Sequence, residues 1–197
     1  EMSSEVKANK LSPATGTDVT LGDSGDTFTV PSGATLANSG TATGFGLFSS
    51  YAIIADQKAQ DTAGGTFTTG AWRERDLQTE LADPDGIVSI SSNQFTLAAG
   101  TYLIRWDAPA KSCGITQSRL YNVTDTAQVG VSMTNVTYQD GYESGSSVAG
   151  AARTTIAGSK VFSIEHQCSR TKATSGLGMN ANLTTEQYTT VEIYKEA

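Results

Sequence analysis

The chain carries one histidine, His166, and two cysteines, Cys113 and Cys168, so its catalytic vocabulary is narrow. A Ser-His-Asp triad needs an exposed imidazole beside a nucleophile. His166 instead sits in Lys160-Val-Phe-Ser-Ile-Glu-His-Gln-Cys, where a period of two puts Phe162, Ile164, His166 and Cys168 on one face. That pattern predicts a buried or interface histidine with a hydrogen-bond partner rather than a general base. A single histidine makes no His-rich metal site, and neither cysteine has a CxxC or Cys/His neighbourhood of zinc type. The chain has no Gly-Lys-Thr phosphate loop, GxSxG elbow or HExxH segment. Asp83-Pro-Asp-Gly and Asp23-Ser-Gly-Asp offer oxygens that suit calcium. Both read first as turns, because Asp, Pro and Gly are turn formers. A glycan-cleaving enzyme needs paired carboxylates across a cleft, and no such pair stands out. The expectation is a non-enzyme with no catalytic residues, cofactor or metal.

Recognition is the chemistry that remains. Thr134-Asn-Val-Thr-Tyr-Gln-Asp-Gly-Tyr-Glu-Ser-Gly-Ser-Ser is the longest polar loop. Its Tyr138, Gln139, Asp140, Tyr142 and Glu143 are the candidate recognition residues, since aromatic rings stack on sugars while amides and carboxylates bond hydroxyls. A solvated connection between strands is the plainer alternative. A net charge of −7, from 13 Lys plus Arg against 20 Asp plus Glu, argues against nucleic acid. No run of 18 apolar residues is present, so no membrane insertion is expected. The N-terminus lacks the pattern of a charged segment followed by an apolar core, so no signal peptide is expected. The triplets at Asn122, Asn135 and Asn182 would matter only in a secreted eukaryotic protein.

The elements that must carry these residues read as strands. Glycine is abundant, at 20 residues, and charged residues make up only 17%, a profile of turn-rich all-β proteins. Residues 1–16 read as a polar attachment arm. Residues 17–47 repeat Ser-Gly at 24–25, 32–33 and 39–40 around the apolar pairs Val19/Leu21 and Phe28/Val30 and then Leu36. Short strands punctuated by glycine turns suggest a β-repeat shaft shared between copies, with a plain linker as the alternative. Gly44-Phe-Gly-Leu-Phe is the junction to a globular region, residues 48–197.

In that region Tyr51–Asp56 alternates on two apolar faces. Tyr102, Ile104 and Trp106 share a face, as do Val191 and Ile193, with Tyr188 and Tyr194 on the opposite side of the last strand. Strands are also expected at Phe95–Leu97, Ile115–Tyr121, Gln128–Met133 and Val148–Ile156. Leu77 and Leu81 at i,i+4 suggest a helix. The Asp83-Pro-Asp-Gly turn favours strand-turn-strand into Ile87-Val-Ser-Ile instead. About eight to ten strands without a clear helix imply a β-sandwich.

The order from residue 94 resembles the C1q/TNF superfamily, through Phe95-Thr-Leu-Ala-Ala-Gly-Thr-Tyr-Leu-Ile and Leu177-Gly-Met-Asn-Ala-Asn. Gln117-Ser-Arg-Leu-Tyr-Asn-Val-Thr-Asp, Ile164-Glu-His-Gln-Cys-Ser-Arg-Thr-Lys and Tyr188-Thr-Thr-Val-Glu-Ile-Tyr-Lys resemble bacteriophage tail-fibre and virion-fibre heads. Val19-Thr-Leu-Gly-Asp-Ser-Gly-Asp-Thr-Phe resembles phage shaft segments. The resemblance implies an all-β, C1q/TNF-like jelly roll that forms a homotrimer, with Tyr51, Tyr188 and Tyr194 as candidates for the axis. It implies a virion-surface fibre or capsid decoration that binds other virion proteins through its arm and host glycans through its head. A length of 197 residues favours a small spike, a head fibre or the distal piece of a larger fibre. The alternative is a secreted C1q/TNF-like signalling or lectin module. On the jelly-roll alignment the strand 101–109 lies between those of Cys113 and Cys168, which places the thiols roughly 20 Å apart. A disulfide needs Cα atoms within about 7 Å, so two free thiols are expected.

Overall fold

The computed structural model describes residues 11–13, 15–35, 47–139 and 141–197, without the side chain of Gln139. The chain divides into two units, Glu1–Ala42 and Thr43–Ala197.

In the second unit the strands run β1 Phe48–Lys58, β2 Arg73–Glu74, β3 Thr79–Ala82, β4 Val88–Ser91, β5 Gln94–Leu97, β6 Gly100–Lys111 and β7 Ile115–Asn122. They continue as β8 Ala127–Val131, β9 Asn135–Val136, β10 Tyr138–Gln139, β11 Tyr142–Glu143, β12 Gly145–Ile156, β13 Lys160–Cys168 and β14 Glu186–Glu196. Among the described residues there is no helix. A five-stranded sheet has the order β12-β6-β14-β1-β3. A seven-stranded sheet follows β4-β5-β13-β7-β8, with β2 added on β13 and β9 on β7. The pairings within both sheets are antiparallel.

Alternation builds the core. Ala52 and Ile54 of β1, Tyr102, Ile104 and Trp106 of β6, and Val191 and Ile193 of β14 point inward from one sheet. Phe95, Leu97, Leu120, Phe162 and Ile164 answer from the other. Phe95 and Phe162 stack with centroids 5.7 Å apart. Small residues let large ones fit: Gly150 of β12 lies directly on the Trp106 indole, where a Cβ would collide with the ring. Indole Nε1 donates to Ser118 Oγ at 2.9 Å, which satisfies the buried N–H.

The stretch with helical spacing is extended, as its turn chemistry requires. The Asp83 carboxylate accepts from the amides of Ile87 and Val88 at 2.8 and 2.9 Å, so it closes a turn. The two strands flanking that turn do not pair as a hairpin: β3 joins the five-stranded sheet and β4 the seven-stranded one.

In the first unit, Asp26 N donates to Asp23 O at 3.0 Å and Asp23 N to Asp26 Oδ2 at 2.8 Å, so Asp23-Ser-Gly-Asp is a turn there too. Among its described residues there is no strand, and Val19, Leu21, Phe28 and Val30 are exposed. One such segment holds too few apolar residues to bury a core by itself. The expectations for residues 1–10, Leu36, Ser39-Gly40 and the start of the Gly44 junction lie outside the described residues.

Candidate recognition surfaces

His166 is inside, as its strand pattern requires, together with Phe162, Ile164 and Cys168. Its partner is not the expected one. The ring packs against Phe67 with centroids 4.7 Å apart, and neither nitrogen has a hydrogen-bond partner among the described residues. Burial, with the nearby Arg75 charge, pushes its pKa down to about 2, so the imidazole is neutral.

Arg75 is itself fully buried. Its backbone N donates to Ile164 O at 2.8 Å, in the seven-stranded sheet. Its side chain crosses the sandwich: Nε donates to Thr189 Oγ1 of β14 at 2.7 Å and one terminal nitrogen to Leu177 O at 2.8 Å. Burial lowers its pKa to about 10, opposed by Asp56 and Asp76, so it stays cationic. This guanidinium ties the two sheets together where the Gly-rich segment 173–178 passes. Gly178 sits on the Tyr188 ring with φ +141°, and only a residue without Cβ fits there.

Cys113 and Cys168 are free and buried, as expected, but the strand placement that led to the expectation is not the observed one. Both belong to one small cluster with Phe67 and Ala110. The strand 101–109 does not lie between them: β6 belongs to the other sheet, and β13 pairs directly with β7, Cys168 opposite Thr116. Each thiol donates to backbone carbonyls, Cys113 to Lys111 O at 2.8 Å and Cys168 to Arg170 O at 3.2 Å. Burial raises the Cys113 thiol to about 11, so neither the thiolate nor a metal site is favoured there. Among the described residues no cluster of three or more metal-ligating side chains exists.

The candidate recognition loop is a β-hairpin, β10 with β11. Two of its residues are already engaged. The Arg170 guanidinium lies 3.7 Å from the Tyr138 ring centroid, and Lys172 Nζ is 2.9 Å from Glu143 Oε1, which lowers the Glu143 pKa. Tyr142 projects into solvent, 82% exposed. Asp140 and the Gln139 side chain lie outside the described residues.

The tyrosines proposed for an axis share one side of the five-stranded sheet, the side away from the core. Across it Tyr51 of β1, Tyr194 of β14 and Leu103 of β6 stand in register, and Phe48 touches Tyr194 with ring centroids 5.2 Å apart. Tyr51 is 44% exposed. Tyr188 is already covered within its own chain, its hydroxyl donating to Thr62 O at 2.7 Å. The strands on either side of the Gly-rich segment fall in opposite sheets, so β14 contributes to this surface and β13 does not.

The opposite outward face holds a feature the sequence reading passed over. The Arg119 guanidinium lies 4.3 Å from the Trp72 ring centroid and 4.5 Å from that of Tyr121, and Nε donates to Glu165 Oε2 at 2.7 Å. Arg119 and Tyr121 two apart on one strand were a visible signal. Trp72 was not, because it lies in the stretch whose strand positions were ambiguous.

No family model matches the chain, and no curated protein matches it. Solved structures do. An Eiger TNF structure from S. frugiperda superposes with a TM-score of 0.52 at 12% identity, over 75% of this chain and 92% of that one. The globular domain of zebrafish complement 1qA gives 0.46 at 16% identity, over 74% and 95%. Murine APRIL at pH 5.0 gives 0.49 at 10%, over 74% and 98%. The shared property is the fold. The second unit is an all-β sandwich with the jelly-roll fold of that TNF structure.

Proposed function

We propose that the chain is a non-enzymatic homotrimeric virion protein, a capsid or head fibre or a short tail fibre, whose N-terminal residues bind other virion proteins and whose β-sandwich binds host-surface glycan. The observation that carries the trimer is the registered row Tyr51–Tyr194–Leu103 with Phe48 beside it, on centrally paired strands, with Tyr51 exposed and the other three half-buried in the single chain. A contiguous apolar strip on a sheet face calls for a partner, and three identical copies around an axis cover three such strips at once. The virion role is supported by the phage-fibre resemblance of the three segments beginning at Gln117, Ile164 and Tyr188 and by the Ser-Gly repeat of residues 17–44. The non-enzymatic part is supported by the state of the single histidine, buried and neutral, and by the raised Cys113 thiol.

Electron microscopy of the virus particles, labelled with antibody raised against residues 48–197, tests this reading. Label on the shell identifies a decoration or head fibre, and label at the tail identifies a tail fibre. Particles that carry neither label nor the protein by mass spectrometry contradict it.

A further inference from the structure

We infer that a depression beside Trp72, on the outward face of the seven-stranded sheet, binds a neutral pyranose. The inference rests on the glycan part of the proposed function and moves the contact from the β10–β11 hairpin to this site. It requires neither the trimer nor the virion.

The depression has a volume of about 290 Å³ and is lined by Trp72, Ile115, Gln117, Thr134, Gln167 and Ser169, with the buried Thr116 and Cys168 as its floor. That is just below the range of ligand pockets, which run roughly 300–1,000 Å³, and suits a single sugar ring. Ile115, Gln117, Arg119 and Tyr121 form one outward row along β7. Arg119, itself packed on Tyr121, holds the Trp72 indole from one side, while Ile115 and Gln117 belong to the lining, so the depression opens on the other side. Because Arg119 is fixed by Glu165 and by both rings, the indole is ordered before a ligand arrives, and the entropic cost of binding is reduced.

The polar groups match hydroxyls. Gln117 Nε2 donates to Ser132 O and to Thr134 Oγ1, both at 3.3 Å, which orients the amide and leaves its oxygen as an acceptor. Ser169 Oγ accepts from Ile115 N at 2.8 Å and keeps its own O–H to donate. The Gln167 side chain, beside them on β13, makes no hydrogen bond among the described residues and offers both a donor and an acceptor. A pyranose presents an apolar C–H face and hydroxyls that each donate and accept. An indole and Ile115 suit the first, and two amides with two hydroxyls suit the second. No charged side chain lines the depression, so an anionic sugar or a phosphate finds no counter-charge there.

The two tryptophans supply an internal control. Trp106 N–H is bonded to Ser118 inside the sandwich, whereas Trp72 is half-buried at the surface. The indole N–H signals of the full chain are followed by NMR during titration with galactose, glucose, mannose and N-acetylglucosamine, and with neutral oligosaccharides of each. The expected result is a saturable shift of the Trp72 signal with at least one sugar while Trp106 stays still. Gln167→Ala, with an unchanged Trp106 signal as evidence of folding, should weaken that binding about tenfold, the loss of one good hydrogen bond. Tyr142→Ala should leave it unchanged. A titration that never moves Trp72, or equal affinity in Gln167→Ala, overturns the site. If the protein still binds host polysaccharide in a pull-down while Trp72 is unmoved, the glycan reading survives and this site falls.

Discussion

The two outward faces of the sandwich differ in what their side chains already touch. On the seven-stranded sheet, Arg119 is held by Trp72, Tyr121 and Glu165, and Gln117 by Ser132 and Thr134. Those groups satisfy one another within one chain, so the face can stay open to water and to a small ligand. On the five-stranded sheet, Tyr51, Tyr194, Leu103 and Phe48 form an apolar strip beside a charged row in which Arg105 and Glu192 are 3.9 Å apart. That strip gains from being covered, and in the proposed trimer the Arg105–Glu192 pair beside it would help align the copies. Aromatic content alone does not separate an interface from a binding platform. On the seven-stranded face a guanidinium lies over both rings, whereas on the five-stranded face Tyr51 stays exposed beside the Phe48–Tyr194 pair.

The comparison breaks most visibly if a charge is placed on each face. Tyr194→Glu puts a carboxylate in the apolar strip, near Glu192, and should reduce the native mass to that of one 20.5 kDa chain. Gln117→Glu on the other face should leave the mass unchanged. Size-exclusion chromatography with light scattering reads both.

Between the faces the cost is one of packing. Phe162→Ala, whose ring stacks on Phe95, should destabilise the fold by about 3–5 kcal/mol in urea unfolding.

The polar end of the interior makes stability depend on pH. The folded chain keeps His166 neutral down to a pKa of about 2, while the unfolded chain takes up a proton near the ordinary 6.5. Stability should therefore fall as pH drops below 6.5, by up to about 1.4 kcal/mol per unit from this group. Glu186, whose pKa is lowered by the amides of Ala181, Asn182 and Asp61, adds a loss only nearer its ordinary 4.5. Asp56, raised by burial, acts in the opposite sense. His166→Gln should flatten the slope between 6.5 and 4.5 in denaturation curves taken across pH.

The smallest contrast is between two arginines. Arg119→Ala should cost about 1–2 kcal/mol, because it removes a part-buried ion pair and two ring contacts. Arg105→Ala, exposed on the five-stranded face, should change the stability of the isolated chain by less than about 0.5 kcal/mol.

Period-two alternation made most of the sandwich legible: the inward rows Tyr102–Ile104–Trp106 and Phe162–Ile164–His166–Cys168 are where their strands required. Which sheet each strand joins was not legible. Alternation names a face but not a neighbour, and so β6 was placed between the cysteine strands when it belongs to the opposite sheet. The same limit hid Arg75. An arginine in the charged run Arg73-Glu-Arg-Asp reads as surface, and only the tertiary fold shows Arg75 reaching Thr189 and Leu177. At the hairpin, Tyr138 and Tyr142 look alike in sequence. Arg170, distant in the chain, occupies one and leaves the other free.

The central claim is that the Tyr51–Tyr194–Leu103 strip is covered by copies of the same chain. Light scattering of the purified full-length protein across a dilution series tests it most directly. The account predicts a constant mass three times 20.5 kDa. A stable mass of 20.5 kDa at every concentration would contradict it.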